Sequence, residues 1–174
     1  MPNLTPGQII DALARNEAAR LLGTAESEQV DFKLSPYQLG EDRQKWELAK
    51  DVAAFANRHG GVIVIGIECQ RQLNEIAEFA TSIRAVRKTS VDLPQHRGVI
   101  DQWIYPRPEG VDFRWYPPDA AEDSGLLLID IPPQATGEPF IVRDMRDPQG
   151  RFRGAIGIPR PGVSVVERNP SRQN

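Results

Sequence analysis

At 174 residues, of which 40% are apolar and 26% charged, the chain has the size and composition of one soluble globular domain. The apolar runs are too short to span a bilayer and the N-terminus lacks a signal-peptide pattern, so we expect a cytoplasmic protein with no membrane partner. The net charge of −3 excludes a surface coated in positive charge, and the single cysteine, Cys69, excludes an internal disulfide and a cysteine-based zinc site.

The first predicted element is a helix. Thr5 is a suitable N-cap and Pro6 suits the first helical position, after which apolar residues recur at helical spacing as far as Leu22. We expect residues 1–24 to form a helix packed on the main domain, residues 25–168 to form that domain, and residues 169–174 to be a polar tail.

A strand, a helix and a second strand follow within about forty residues. Alternating polarity predicts a half-buried strand over 28–34, and a wide apolar face predicts a helix from Glu41 to Ala56. Gly60-Gly61 suits the end of that helix, and the next six residues, 62–67, are apolar except for Gly66. A strand that is apolar on both faces is typical of the centre of a sheet. This unit predicts a crossover between parallel strands, with a hairpin-like pairing as the alternative.

Beyond Glu68 the pattern is weaker. A helix is indicated over 73–86, with a basic cluster of Arg84, Arg87 and Lys88 near its end, and a loop over 89–98. The remaining indications are a short helix or strand at 99–105 and strands at 111–116, 126–131, 140–142, 154–158 and 163–166. The predicted fold class is α/β (α+β), a single domain with one mixed sheet of about five or six strands covered by helices.

Three carboxylates stand out by position. Glu26 precedes the first strand, Asp31 lies within it, and Glu68 follows the buried strand. Converging carboxylates would suit Mg²⁺ or Mn²⁺, which prefer hard oxygen ligands. In a straight strand, however, five steps would separate Glu26 from Asp31 by roughly 16 Å. A shared site therefore requires a sharp turn between Ser27 and Gln29, and unrelated surface carboxylates are the alternative.

The glycines do not predict a nucleotide site. Gly60-Gly61 comes before its strand, whereas a phosphate-binding loop follows a strand and begins a helix. We therefore expect no nucleotide cofactor. A cluster of aromatic residues over 103–116 could stack on single-stranded nucleic acid, but packing in the core is the more usual role of such residues.

Three spaced motifs occur in order: Glu26-Ser27-x-x-x-Asp31-Phe32-Lys33, a helix ending Ala56-Asn57-x-x-Gly60-Gly61, and a strand closing Gly66-Ile67-Glu68. Together they resemble the Schlafen/AlbA-like domain. The resemblance implies an α/β nucleic-acid-binding module, often fused in bacteria to ATPase or winged-helix parts. In some animal Schlafen proteins the domain is a divalent-metal-dependent endoribonuclease that cuts structured RNA with three carboxylates. Carried over by position, the metal-binding and catalytic acids are Glu26, Asp31 and Glu68, with Lys33 as the neighbouring catalytic and nucleic-acid-binding lysine.

The C-terminal region supplies further candidate phosphate contacts. Residues 139–174 contain seven arginines against three acids, a net charge of +4. The candidates are Arg143, Arg151, Arg153 and Arg160, in a region that also resembles the family's arginine-bearing strand. The resemblance therefore favours RNA or DNA as the partner, with a homo-oligomer left open. The alternative is a protein-interaction or regulatory module that has kept the fold without nucleic-acid binding or catalysis, which the negative net charge and an altered turn at 69–72 favour.

Overall fold

The computed structural model describes residues 3–73, 75–117, 123–135 and 137–143, and the backbone of residues 155–156. Among the predicted features, the strand at 163–166, the tail at 169–174 and the three candidate arginines Arg151, Arg153 and Arg160 lie outside these residues. The boundaries predicted for the domain stay predictions.

The described part of the chain contains three α-helices and ten short strands. The helices are α1 (Pro6–Ala14), α2 (Asp42–Ala56) and α3 (Leu93–Trp103), with short 3₁₀ helices at Ala18–Leu21 and Lys88–Ser90. The strands are β1 (Val30–Lys33), β2 (Gly61–Ile65), β3 (Ile67–Arg71), β4 (Glu78–Ile83), β5 (Val86–Arg87), β6 (Ile104–Tyr105), β7 (Asp112–Tyr116), β8 (Ser124–Ile131), β9 (Ile141–Val142) and β10 (Ala155–Ile156).

The main sheet has five strands of mixed direction. β2 pairs in parallel with β1 and antiparallel with β8, and β8 also pairs antiparallel with β7 and, at its first residues, with β5. β3 and β4 form a separate hairpin, while β6, β9 and β10 form a small three-stranded sheet. This arrangement confirms the predicted mixed α+β class and the crossover through α2 between parallel strands. The main sheet has the predicted number of strands, while the hairpin and the three-stranded sheet are additional to the single sheet that was predicted.

Both faces of the main sheet are covered, which explains why every residue of β2 is buried. Ile63 and Ile65 pack with α2 and α3 on one face, whereas Val62 and Val64 pack with α1 and the first 3₁₀ helix on the other. Packing on both sides requires side chains that are apolar at consecutive positions, as the sequence of this strand indicated. Among the described residues, no helix combines the length and the apolar character needed to cross a membrane.

Asn57 joins the end of α2 to the segment before β9. Its side-chain Nδ2 donates to the backbone oxygen of Phe140 at 2.8 Å, and the Phe140 amide donates to its Oδ1 at 2.7 Å. The side-chain amide of Asn57 thus both donates to and accepts from the backbone of Phe140, as a residue of a neighbouring β-strand would. This contact gives the asparagine of the Ala-Asn-x-x-Gly-Gly motif a structural role.

Three local predictions were wrong. The helix expected over 73–86 is instead the second half of the β3–β4 hairpin, because Phe79, Thr81 and Ile83 belong to a strand that pairs with β3. The loop expected over 89–98 contains the start of α3, which Asp92 caps by accepting from the amide of Gln95 at 3.0 Å. The first helix ends at Ala14 rather than near residue 22.

His96 on α3 is buried, and one of its ring nitrogens lacks a hydrogen bond to the described residues. The residue is 1% exposed, its Nδ1 lies 2.6 Å from the backbone oxygen of Asp92, and its Nε2 has no hydrogen-bond partner in the part of the chain that the structure describes. The ring also packs edge-on against Phe113 of β7. Burial lowers the pKa of His96, so the neutral ring is the form that the fold favours.

We expect this histidine to weaken the fold in acid. Folding lowers the pKa of His96, so the unfolded chain takes up a proton at this residue more readily than the folded one. The free energy of unfolding is therefore unaffected by His96 above its unfolded pKa of about 6.5 and decreases as pH falls below that value, by at most about 1.4 kcal/mol per pH unit. Urea unfolding at about pH 7.5 and about pH 5 should show a larger acid loss in the wild type than in His96→Leu. Parallel pH dependences of the two proteins would contradict this assignment.

Candidate functional site

A tight turn brings Glu26 back against β1. The Ser27 amide donates to the backbone oxygen of Val30 at 2.9 Å, and the Ser27 hydroxyl accepts from the amide of Gln29 at 3.3 Å. As a result, Oε1 of Glu26 accepts from the amide of Phe32 at 3.1 Å. The sharp turn on which a shared site depended is therefore present, and it places Glu26 at the open edge of β1.

Asp31 and Lys33 point toward α2. Their register partners on β2 are residues of the face that α2 covers. Nζ of Lys33 lies 3.0 Å from Oδ2 of Asp31 and 3.4 Å from Oδ2 of Asp51 on α2. Tyr37, in the loop between β1 and α2, donates its hydroxyl to the same Asp51 oxygen at 2.8 Å. We call Glu26, Asp31, Lys33, Tyr37 and Asp51 the Lys33 cluster.

Two carboxyl groups of the cluster, those of Glu26 and Asp31, are hard to ionise. Burial raises the pKa of Asp31 to about 7; Lys33 opposes this shift, and Asp51 and Glu26 reinforce it. Although the Asp31 side chain is 22% exposed, its Oδ2 atom is buried, which explains the strong effect of burial. Burial also raises the pKa of Glu26, against the hydrogen bond from the amide of Phe32.

The lysine at the centre keeps its charge. Burial alone would lower the pKa of Lys33, but the carboxylates of Asp31 and Asp51 outweigh burial and raise it. The pKa of Tyr37 is raised by burial and by Asp51, so its hydroxyl remains a donor. One ammonium group thus neutralises part of the charge of three neighbouring acids, and little of its own charge is left uncompensated.

Glu68 has other partners. Because Gly66 adopts a φ of +104° between β2 and β3, Glu68 belongs to the β3–β4 hairpin rather than to the end of a single long strand. Its Oε2 accepts from the hydroxyl of Ser82 at 2.7 Å and from Nε of Arg84 at 3.0 Å. These two hydrogen bonds, that of Ser82 first, lower the pKa of Glu68.

The acids therefore do not fit a three-carboxylate metal site. Glu26 and Asp31 are close enough to affect each other's pKa, whereas the Glu68 carboxylate accepts hydrogen bonds from Ser82 and Arg84. Over the part of the chain that the structure describes, no three His, Cys, Asp or Glu side chains are grouped so that they could hold a metal ion. The catalytic and metal-binding roles expected for these acids and for Lys33 stay predictions.

Cys69 is close enough to the cluster for Glu26 to affect the pKa of its thiol. Burial first, and then the charge of Glu26, raise the pKa of its thiol to about 12. A thiol with that pKa is protonated at neutral pH, and nucleophilic reactions of cysteine require the thiolate.

Of the four candidate arginines, Arg143 is the one that the structure describes. Its guanidinium carbon lies 5.1 Å from the centre of the Trp103 ring, and its amide donates to the Trp103 backbone oxygen at 2.9 Å. A cation over an indole face is held by the ring and is less available to a partner.

Sequence reasoning missed two members of the cluster. Asp51 lies within the helix that was predicted from its apolar face, and Tyr37 lies between the predicted strand over 28–34 and that helix. The sequence does contain one indication of this role: Asp51 is a charged residue on the side of α2 that faces β1, where the neighbouring residues are apolar. A charge there needs a partner, because carboxylates are seldom buried unpaired.

A sequence model of the family described as "Schlafen, AlbA_2" matches residues 26–147, which is more than half of the chain. The chain belongs to the Schlafen AlbA_2 family. The match begins at Glu26 and includes the whole Lys33 cluster, the Asn57 contact and the β3–β4 hairpin. It confirms the family that the spaced motifs resembled.

Two solved structures are similar to this Schlafen AlbA_2 chain. A Corynebacterium diphtheriae protein is 22% identical with a TM-score of 0.44, and the alignment covers 89% of this chain and 26% of that one. The N-terminal domain of a RecG-related protein from Nitrosomonas europaea, named for an ATP-dependent DNA helicase, is 17% identical with a TM-score of 0.44 over the full length of both chains. This chain thus corresponds to about a quarter of the Corynebacterium protein. No curated protein matches it.

Proposed function

We propose that this Schlafen AlbA_2 domain binds nucleic acid through the sugar–phosphate backbone, without cleaving it. The observation that carries the proposal is the family match over residues 26–147. Within that match the motif lysine, Lys33, stays protonated at the end of β1 with its side chain 34% exposed.

The charge of the protein limits the strength of such binding. A net charge of −3 and three acids around Lys33 oppose the approach of a polyanion. We therefore expect moderate affinity that depends on a few local phosphate contacts. Each contact releases counterions, so the affinity should fall as salt is added.

Binding without cleavage is preferred because of the positions of the acids. The endoribonuclease hypothesis needs Glu26, Asp31 and Glu68 to converge, and Glu68 is hydrogen-bonded to Ser82 and Arg84. Metal ligation is sensitive to ligand distances on the scale of about 0.2 Å. Glu26 and Asp31 are close enough to affect each other's pKa, and this proximity keeps ribonuclease activity as the second candidate.

Fluorescence anisotropy tests the binding proposal. A labelled RNA hairpin, a single-stranded DNA and a duplex DNA are titrated with the full chain at about 50 mM and about 200 mM salt. We expect dissociation constants in the micromolar range at the lower salt, weakening at the higher salt. If none of the three probes binds at low salt, the proposal fails. A stable complex with a protein partner would then support the interaction-module alternative.

The same RNA hairpin tests cleavage when it is incubated with Mn²⁺ and then analysed on a denaturing gel. Wild type, Glu26→Gln and Asp31→Asn should all leave the RNA intact. Cleavage by the wild type that is lost in both variants would overturn the non-cleaving assignment and establish the ribonuclease. Equal cleavage in all three samples would indicate a contaminating nuclease.

A further inference from the structure

The basic cluster of residues 84–90 lies at the same end of the main sheet as Lys33. The Gly66 amide donates to the Lys33 backbone oxygen at 2.7 Å, and the Arg84 amide donates to the Gly66 oxygen at 2.7 Å. These hydrogen bonds form a continuous backbone connection from the end of β1, across the end of β2, to Arg84. We call residues 84–90 the basic ridge.

The ridge is anchored to the sheet by its backbone. Val86 is buried and pairs with Gly125 of β8, while Arg87 pairs with Ser124. The Lys88 amide then donates to the Asp123 backbone oxygen at 2.9 Å, where the short 3₁₀ helix begins. A rigid backbone under exposed side chains reduces the entropy lost when those side chains bind a partner.

The cations of the ridge are exposed and are little compensated by acids of the described residues. Arg87 and Lys88 are exposed, and neither has an ion pair with the residues that the structure describes. Arg84 is 63% exposed and uses its Nε on Glu68. By contrast, Lys33 is shared between two carboxylates. No acid occurs within the ridge itself, and Thr89 and Ser90 add hydroxyl groups.

We propose that the basic ridge is the surface that contacts phosphates, with Arg87 and Lys88 as the principal contacts and Arg84 beside them. This inference rests on the proposed nucleic-acid binding and specifies where it occurs. A flexible, exposed pair of cations recognises phosphate oxygens without reading base edges, so the ridge fits the backbone of RNA or DNA with little sequence preference. The adjacent Lys33 cluster, with its acids, borders this surface and limits how far the polyanion extends over it.

The test compares two double variants that remove the same charge. Arg87→Gln/Lys88→Gln removes two cations from the ridge, and Arg15→Gln/Arg20→Gln removes two exposed cations near α1. Anisotropy with the RNA hairpin and with single-stranded DNA is measured over a range of salt concentrations. Thermal unfolding of both variants checks that they remain folded.

We expect the ridge variant to lose about tenfold in affinity at about 100 mM salt, and the slope of log affinity against log salt to become shallower by about 2. The α1 variant should lose no more than about twofold, because screening limits the effect of distant charges. Equal losses in the two variants, or an unchanged ridge variant alongside a binding wild type, would overturn the ridge while leaving the proposed function intact. A wild type that binds neither probe would overturn both.

Discussion

Replacing Gly60 with alanine is expected to destabilise the fold by about 4 kcal/mol, the sum of a strained backbone and a steric clash. Gly60 has a φ of +72°, which costs a residue with a side chain energy. A Cβ there would lie 2.4 Å from the oxygen of Ile131 and 2.7 Å from the nitrogen of Pro133. Because both are backbone atoms at the end of β8, neither can rotate away, and the connection from α2 to β2 would have to move.

Gly98→Ala is the matched control. Gly98 lies inside α3, and a Cβ at that position would meet no atom within 4 Å among the described residues outside the helix's own nearby backbone. Alanine is a better helix former, so the control should stabilise the protein by about 0.5–1 kcal/mol. Urea unfolding of both variants measures the difference. A loss under about 1 kcal/mol for Gly60→Ala would show that the turn tolerates a side chain.

Replacing Lys33 with methionine is expected to cost about 2–3 kcal/mol. Methionine keeps much of the length and packing of the side chain but leaves Asp31, Asp51 and Glu26 without their shared cation. Removing one partner of a fully buried ion pair typically costs about 3–5 kcal/mol, and the partial exposure of Lys33 reduces that figure. Lys45→Met is the control, because Lys45 forms an exposed pair with Asp42 and should lose less than about 1 kcal/mol.

The loss in the Lys33 variant should depend on pH. Folding raises the pKa of Asp31 to about 7, so the folded protein holds this proton more tightly than the unfolded chain does. The resulting contribution to the free energy of unfolding is fully present below about pH 4 and is lost as pH rises through about 7. Without the ammonium group this loss becomes larger. The difference between wild type and Lys33→Met should therefore be smaller at about pH 5 than at about pH 8. A difference that does not change with pH would show that the carboxyl groups do not respond to Lys33.

The parts of the fold that the sequence predicted are those in which local pattern and packing agree. β2 was identifiable because both of its faces are apolar, and α2 because its apolar face is wide. The β3–β4 hairpin was not, since residues 73–86 carry apolar residues at spacings that also suit a helix. Pairing with β3 decides between the two, and a pattern within one segment does not contain that information.

In the candidate site, too, the features set by local sequence were predictable and those set by contacts with other elements were not. Glu26 and Asp31 meet through a turn of a few residues, which the motif spacing made possible. The partners of Glu68 depend on the backbone at Gly66, which turns the chain out of β2 and into the hairpin. Asp51 reaches Lys33 from α2, and Tyr37 donates its hydroxyl to Asp51, so both roles follow only once α2 is packed on the sheet.

The paired hydrogen bonds between Asn57 and Phe140 determine where a shortened version of this domain can end. They link positions that are 83 residues apart. A fragment that stopped at the end of β8 would retain the main sheet but lose both of these hydrogen bonds and the buried side chain of Phe140. The smallest self-sufficient unit therefore has to extend through the Phe140 segment.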